Sequence, residues 1–290
     1  MLRGLRDRRA RHWAGGVGAL LAVIGVALAP AGVSAQAPAQ ATVLAQGREE
    51  LAAGEWLFRV NDNVLPPGEP GVTHAHASGF DYAVEGTHVL TVDGAERVAA
   101  QGQATWVGPQ QEHTHGSLNR AGMRFWFVAF RPAATRGVPG TWPYPQARIR
   151  GESEDVRLAA AGEYELVLSE VRLPAPGAVA GPLARTGPVG VTVVAGAVRF
   201  GGEAIPAEGV VVQHPGDARA FTNSGPGPAH LLVLAVTPAQ AAPTRLPRTG
   251  GFEVVESSGF GRTGAADATW AATPPGPWAA ALPYLCPVGL

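Results

Sequence analysis

The chain has 290 residues, 46% of them apolar and 16% charged, which is enough apolar material for a packed core and too much for a disordered polypeptide. All 22 basic residues are Arg, so the lack of Lys excludes Schiff-base catalysis and a P-loop lysine. With 39 Gly, 26 Pro and a formal charge of -1, short strands and turns are favoured over long helices. A GC-rich genome produces the same composition, so composition alone assigns no function.

Five Arg, at Arg3, Arg6, Arg8, Arg9 and Arg11, precede the apolar run from Ala14 to Leu28, and Val33-Ser34-Ala35 follows it. This order predicts a secretory signal over residues 1–35, cut after Ala35 or Ala37. The apolar run is short for a span of about twenty residues, so export with removal is favoured over an anchor. Arg8-Arg9 raises a twin-arginine route, although Asp7 and Ala10-Arg11-His12 fit that signal poorly. The predicted location is secreted, periplasmic or otherwise extracytoplasmic, with no membrane attachment after cleavage. Cys286 is the sole cysteine, so no intrachain disulfide can form.

Beyond the signal the chain repeats itself. Glu55 to Val60 leads to Leu65-Pro66-Pro67-Gly68, and Glu163 to Leu168 leads to Leu173-Pro174-Ala175-Pro176-Gly177. Val84-Glu85-Gly86 matches Val194-Ala195-Gly196, and Phe125 to Pro132 matches Leu231 to Pro238. From Leu65 to Leu173 the period is 108 residues. Each copy is a series of short Val, Phe, Leu, Trp and Thr runs cut by Gly, Pro, Asn and Asp, which predicts an all-β antiparallel sandwich or barrel. The predicted units are 51–132 and 161–238, with a linker over 133–160 that straps the surface and a Pro/Ala/Gly-rich tail over 239–290. One strand is expected near Phe252 to Glu256, and an irregular tail beyond Ala265.

Seven histidines follow the signal, and four form two tight pairs, His74-Ala75-His76 and His113-Thr114-His115. Residues two apart on a strand face the same way, so neighbouring strands would bring both pairs to one side of a sheet. Imidazole suits Zn, Fe, Cu and Ni, and several nitrogens with an open position make a site for metal chemistry. A lone H-x-H pair is weak evidence; two pairs in one Gly-punctuated β pattern are much stronger.

These residues resemble the cupin family, whose members are small jelly-roll β-barrels. The first family motif matches Gly71-Val72-Thr73-His74-Ala75-His76 and Tyr82 to Gly86; the second matches Gly102, Trp106-Val107, Pro109, His113 and Asn119. The resemblance covers residues 55–132 and, through the repeat, 163–238. It implies two tandem cupin-type jelly-roll barrels, a bicupin.

The match departs at the carboxylate and the second turn. Counting back from Gly86, Gly79 stands where the family has Glu, and Gln110 replaces a Gly. Asp81, four residues beyond His76, is one candidate replacement. His115, on the face of His113, is another; it also has the usual spacing to Asn119 and could be the ligand instead of His113. Glu112 is expected at the surface; His88, just after Gly86, either contacts a ligand residue or the substrate at the first site or lies on the outer face of its strand. In the second copy the ligand positions hold Leu183, Arg185, Val189 and Arg219, so that unit is expected to be structural or ligand-binding. If both point inward, Arg185 and Arg219 would hold a carboxylate. His214 and His230 stand alone.

The resemblance implies a mononuclear site in the first barrel, with one divalent transition metal (Fe, Mn, Zn, Cu or Ni) on His74, His76 and His113, plus Asp81 or His115. A dioxygenase-like or other metal-dependent oxidoreductase acting on a small organic substrate follows, with Phe80, Tyr82, Trp106, Phe125 and Phe127 as pocket or core residues. The alternative is a non-catalytic secreted bicupin that binds a small ligand. Without the signal, 17 Arg face 22 acidic residues, and a charge of -5 argues against nucleic acid and anionic membranes as partners. The reading leaves room for a homo-oligomer.

Overall fold

In a computed structural model of the chain, residues 39–140, 142, 147–174, 176–184, 186–240, 253–256 and 283–285 are described. The predicted signal, Arg185, Cys286 and most of the tail lie outside them.

The strand-forming runs are extended as expected. The first copy contains β1 (Gln40–Leu51), β2 (Gly54–Leu65), β3 (Val72–Ala75), β4 (Gly79–Gly86), β5 (His88–Val92), β6 (Ala95–Ala99), β7 (Ala104–Val107), β8 (His113–Ser117) and β9 (Met123–Pro132). Next come β10 (Arg148–Glu152), β11 (Val156–Leu158), β12 (Gly162–Leu173), β13 (Val179–Ala180), β14 (Val189–Ala195) and β15 (Val198–Phe200). The rest are β16 (Glu203–Ala204), β17 (Val210–Gln213), β18 (Phe221–Asn223), β19 (Ala229–Pro238), β20 (Glu253–Glu256) and β21 (Pro283–Leu285). Two short 3-10 turns are the helical segments among the described residues, and no helix there is long and apolar enough to cross a membrane.

Four sheets form. Two belong mainly to the first copy, in the orders β10-β2-β9-β4-β7, with β11 also on β2, and β21-β3-β8-β5-β6. The other two run β17-β14-β19-β12-β1-β20 and β13-β18-β15-β16. Three strands pair outside the predicted copies. β1 pairs along its length with β12 of the second copy, from Gln40 opposite Arg172 to Leu51 opposite Gly162. The stretch read as a linker carries β10 and β11, both antiparallel to β2. The expected strand near Phe252 is β20, parallel to β1, and the tail adds β21, parallel to β3.

Alternation along the strands divides the core. On β9, Trp126, Val128 and Phe130 join Phe58 and Phe80 against Leu166, Leu168, Leu232 and Leu234, filling the space between the two largest sheets. Each such buried side chain contributes roughly 1.5–3 kcal/mol of transfer free energy. The contact is close: a Cβ at Gly190 would overlap the Phe58 ring, so only Gly fits there. The opposite face of β9, with Phe125, Phe127 and Ala129, turns inward with Leu65, Val72 and Met123. The second copy closes its own core around Val189, Val191, Phe200, Phe221 and Leu231. In the first copy this leaves a mixed interior, apolar on β9 and imidazole-rich on β3 and β8.

Candidate metal centre

β8 lies between β3 and β5, and this placement gathers the histidines. His74 is the direct cross-strand partner of His113, while His115 stands opposite Val72 on one side and Leu90 on the other. His113 and His115 are two apart and share a face, and His76 follows immediately after β3. All four offer ring nitrogens within 4.8 Å of one another. His74, His113 and His115 are buried and His76 is half-buried.

Local contacts aim two of the rings. The Nδ1 of His76 lies 2.6 Å from the Ala77 carbonyl, and that of His113 lies 2.7 Å from the Gln111 carbonyl. A carbonyl only accepts, so each Nδ1 donates and each Nε2 keeps its lone pair for the interior. The β7–β8 turn is tied to His76 through Gln110 N–H, which donates to the His76 carbonyl at 2.8 Å. Gln110 replaces the expected Gly yet keeps the left-handed conformation, with φ 53.

Burial holds these imidazoles neutral. It lowers His74 to about 3 with help from His113, and it pushes His76 and His115 well below the usual imidazole range. His113 is lowered by the same cause, against the opposing pull of its bond to Gln111. Four convergent neutral imidazoles, with His74 Nδ1 buried and unpartnered, fit a borderline transition metal.

The missing carboxylate has a steric explanation. Gly79 faces inward, and a Cβ there would run into the Phe127 ring, which also packs edge-on against His76 with centroids 4.5 Å apart. The space for a side chain at position 79 is therefore filled by β9. Asp81, on the same face of β4, is fully buried, and its Oδ2 lies 3.8 Å from His115 Nδ1. Both Asp81 oxygens lack a hydrogen-bond partner, and burial pushes the carboxyl pKa well up. Asp81 thus adjoins the outer nitrogen of His115, while His115 joins the nitrogen cluster through its other edge.

For His88 the outer-face reading is corrected and the contact with the first site holds: it is fully buried and faces His115, with Nε2 2.9 Å from His115 Nδ1. The signal was in the strand. His88, Leu90 and Val92 share a parity, and Leu90 and Val92 are core, whereas Thr91 on the other face is half-buried. Glu112 is exposed, as expected. Of the aromatic candidates, Phe125 and Phe127 face the site; Phe80, Tyr82 and Trp106 take the opposite parity and fill the space between sheets.

A cavity partly open to solvent adjoins His74, His76 and His115. Phe125, Phe127 and Trp142 line it, with Asn61, Asn63 and Arg131 as polar groups. Trp142 stands edge-on to His115 at 5.4 Å, and its Nε1 donates to the Val64 carbonyl. Val138, Pro139 and Gly140 also line the cavity, and Arg59 donates to the carbonyls of Thr135 and Val138.

In the second copy Leu183 and Val189 are core residues. Arg219 does not point inward: it is exposed, bonded to Asp217 and laid over the Phe200 ring at 4.1 Å. The expected inward arginine pair is therefore not formed from its side. Gln213 instead occupies the interior, accepting from the backbone N–H groups of Leu183 and Ala184.

The fold and the site together define an all-β protein with a buried four-histidine cluster beneath an aromatic-walled cavity. No family model and no curated protein matches the chain. Solved structures similar to it include cupin-fold proteins. A salicylate 1,2-dioxygenase from Pseudaminobacter salicylatoxidans is 14% identical, with TM-score 0.39 over 61% of this chain and 70% of that one. The protein YhaK from Escherichia coli is 12% identical, with TM-score 0.42 over 66% of this chain and 94% of that one. A cupin 2 conserved barrel domain protein from Leptotrichia buccalis is 12% identical, with TM-score 0.36 over 66% and 89%. Likeness at this level assigns neither activity nor ligand.

Proposed function

We propose that the protein is an exported bicupin whose first jelly-roll barrel holds a transition-metal ion on His74, His76, His113 and His115 and acts as a metal-dependent oxidoreductase, of the dioxygenase kind, on a small organic substrate. The observation that carries this reading is the convergence of four neutral imidazoles beside an aromatic-lined cavity. A bound ion would supply Lewis acidity or a redox couple at the cavity floor. The chain's own residues do the rest. Carbonyls of Ala77 and Gln111 keep the Nε2 atoms of His76 and His113 unprotonated. Phe125, Phe127 and Trp142 give the cavity apolar walls, and Asn61, Asn63 and Arg131 offer hydrogen bonds that orient a polar substrate.

Export and removal of residues 1–35 belong to the same proposal, supported by the Arg-rich segment before the apolar run. The test is elemental analysis of untagged protein, followed by oxygen-uptake assays on phenolic and dicarboxylate substrates. Stoichiometric Fe, Mn, Zn, Cu or Ni, lost in His74→Ala and kept in Arg219→Ala, supports the site. Protein that takes up no metal overturns it. Metal-loaded protein that binds small acids but consumes no oxygen is instead a binding protein.

A further inference from the structure

The two ring nitrogens of His115 face different groups. Nε2 lies 2.9 Å from His113 Nε2, within the four-histidine cluster. Nδ1 lies 2.9 Å from His88 Nε2 and 3.8 Å from Asp81 Oδ2, and these three side chains present donor atoms within 4.8 Å of one another. All three are fully or almost fully buried.

Counting protons exposes a deficit on the Asp81 side. His113 gives its Nδ1 proton to Gln111, so its Nε2 accepts and His115 Nε2 must donate to it. In neutral His115 the Nδ1 is then an acceptor as well, and it takes the proton of His88 Nε2. One N–H therefore serves a place where the His115 lone pair and the Asp81 carboxylate converge. Both Asp81 oxygens and His88 Nδ1 are left without a partner. Moving the His115 proton to Nδ1 does not cure this, because a single N–H cannot serve both His88 and Asp81. A divalent cation on Asp81, His88 Nε2 and His115 Nδ1 would satisfy the Asp81 carboxyl and both facing ring nitrogens at once, with the His88 proton moved to Nδ1.

We propose that Asp81, His88 and the Nδ1 of His115 form a second divalent-cation site, and that His115 joins it to the four-histidine site through its two ring nitrogens. The proposal rests on the metal reading of the four histidines. Full loading removes the one ring N–H proton that neutral His115 carries, releasing one more proton to solvent than a neutral ligand would, and leaves the ring as an anionic bridge. Asp81 supplies the second negative charge that two buried divalent ions require. Phe125 keeps the arrangement rigid: its ring lies nearly parallel to His88 at 4.9 Å and to His115 at 5.0 Å.

The test is metal stoichiometry. Chelator-stripped, untagged full-length protein is titrated separately with Zn(II) and Cu(II), freed of unbound metal by gel filtration and assayed for ions per chain. Wild type is expected to bind two ions, and Asp81→Asn and His88→Gln are expected to bind one while keeping the wild-type circular dichroism. In the Cu(II) protein, magnetic coupling through the shared ring should reduce the paramagnetic resonance signal below that of two isolated ions. Either variant should restore a full signal for its one ion. Wild type that binds one ion, lost in His74→Ala but kept in both variants, overturns the second site and leaves the first standing. Protein that binds no ion overturns both. If Asp81→Asn is misfolded, His88→Gln and the wild-type count still decide.

Discussion

Phe127 occupies the space into which a side chain at Gly79 would project, and its ring packs against His76. Restoring a carboxylate by Gly79→Glu is therefore expected to destabilise the protein without adding a metal ligand. Overpacking of this kind costs about 1–3 kcal/mol, and leaving the new carboxylate desolvated costs more. Urea unfolding measures the first effect, and the metal affinity of the folded fraction measures the second. A tighter-binding Gly79→Glu would show that Phe127 moves aside.

Metal should stabilise the protein through the histidines and through no other region. With free metal at about 100 times its Kd, the gain is about 2.7 kcal/mol, read as a rise in Tm. His115→Ala should abolish that rise and His113→Ala should reduce it, whereas Glu112→Ala, on the exposed neighbour, should leave it intact. Equal loss in all three would move the site elsewhere.

The metal-free protein should weaken in acid in a specific window. His74 and His88 are lowered from 6.5 to about 3 by burial, so below 6.5 the unfolded chain takes up protons that the folded chain refuses. Stability is then lost as pH falls from 6.5 towards 3, at up to about 1.4 kcal/mol per pH unit for each such histidine. Asp81 has the opposite sign. Its raised pKa gives a stabilisation that is complete below 3.8 and lost as pH rises through the folded value. Urea midpoints measured from pH 7 to pH 4 should fall, and His88→Phe should make the fall shallower. A flat profile would contradict the buried neutral imidazoles.

The segment lining the cavity depends on Arg59, which is 3% exposed and pairs with Glu152 besides donating to the carbonyls of Thr135 and Val138. Arg59→Ala leaves Glu152 without that partner, and breaking a buried pair costs about 3–5 kcal/mol. Proteolysis should then cut near Thr135 to Gly140 sooner than in wild type. An unchanged cleavage pattern would show that Trp142 alone holds the segment.

The packing of the two large sheets is testable at Gly190. A side chain there meets the Phe58 ring, so Gly190→Val should cost about 1–3 kcal/mol, and Phe58→Ala in the same chain should recover part of it. Additive losses, measured by urea unfolding of the single and double variants, would argue that the two positions do not touch.

Sequence by itself determined the strands, the repeat and the four clustered histidines. Gly- and Pro-bounded apolar runs and the H-x-H spacing are local signals, and period-2 alternation turns them into faces. His88 shows how far that reach extends: its strand parity with Leu90 and Val92 was readable, but both faces of β5 are largely apolar and the direction had to come from the fold. Tertiary structure alone decided the rest. The pairing of β1 with the second copy, and of β10 and β11 with β2, joins residues about 85 to 130 positions apart, which no window along the chain registers. The placement of Asp81 and His115 was decided in the same way. It depends on Phe127, from a strand far along the chain, taking the volume beside Gly79, and on β5 delivering His88 to the outer nitrogen of His115. Excluded volume and hydrogen-bond geometry act between neighbours in space, so those assignments exist only in the folded chain.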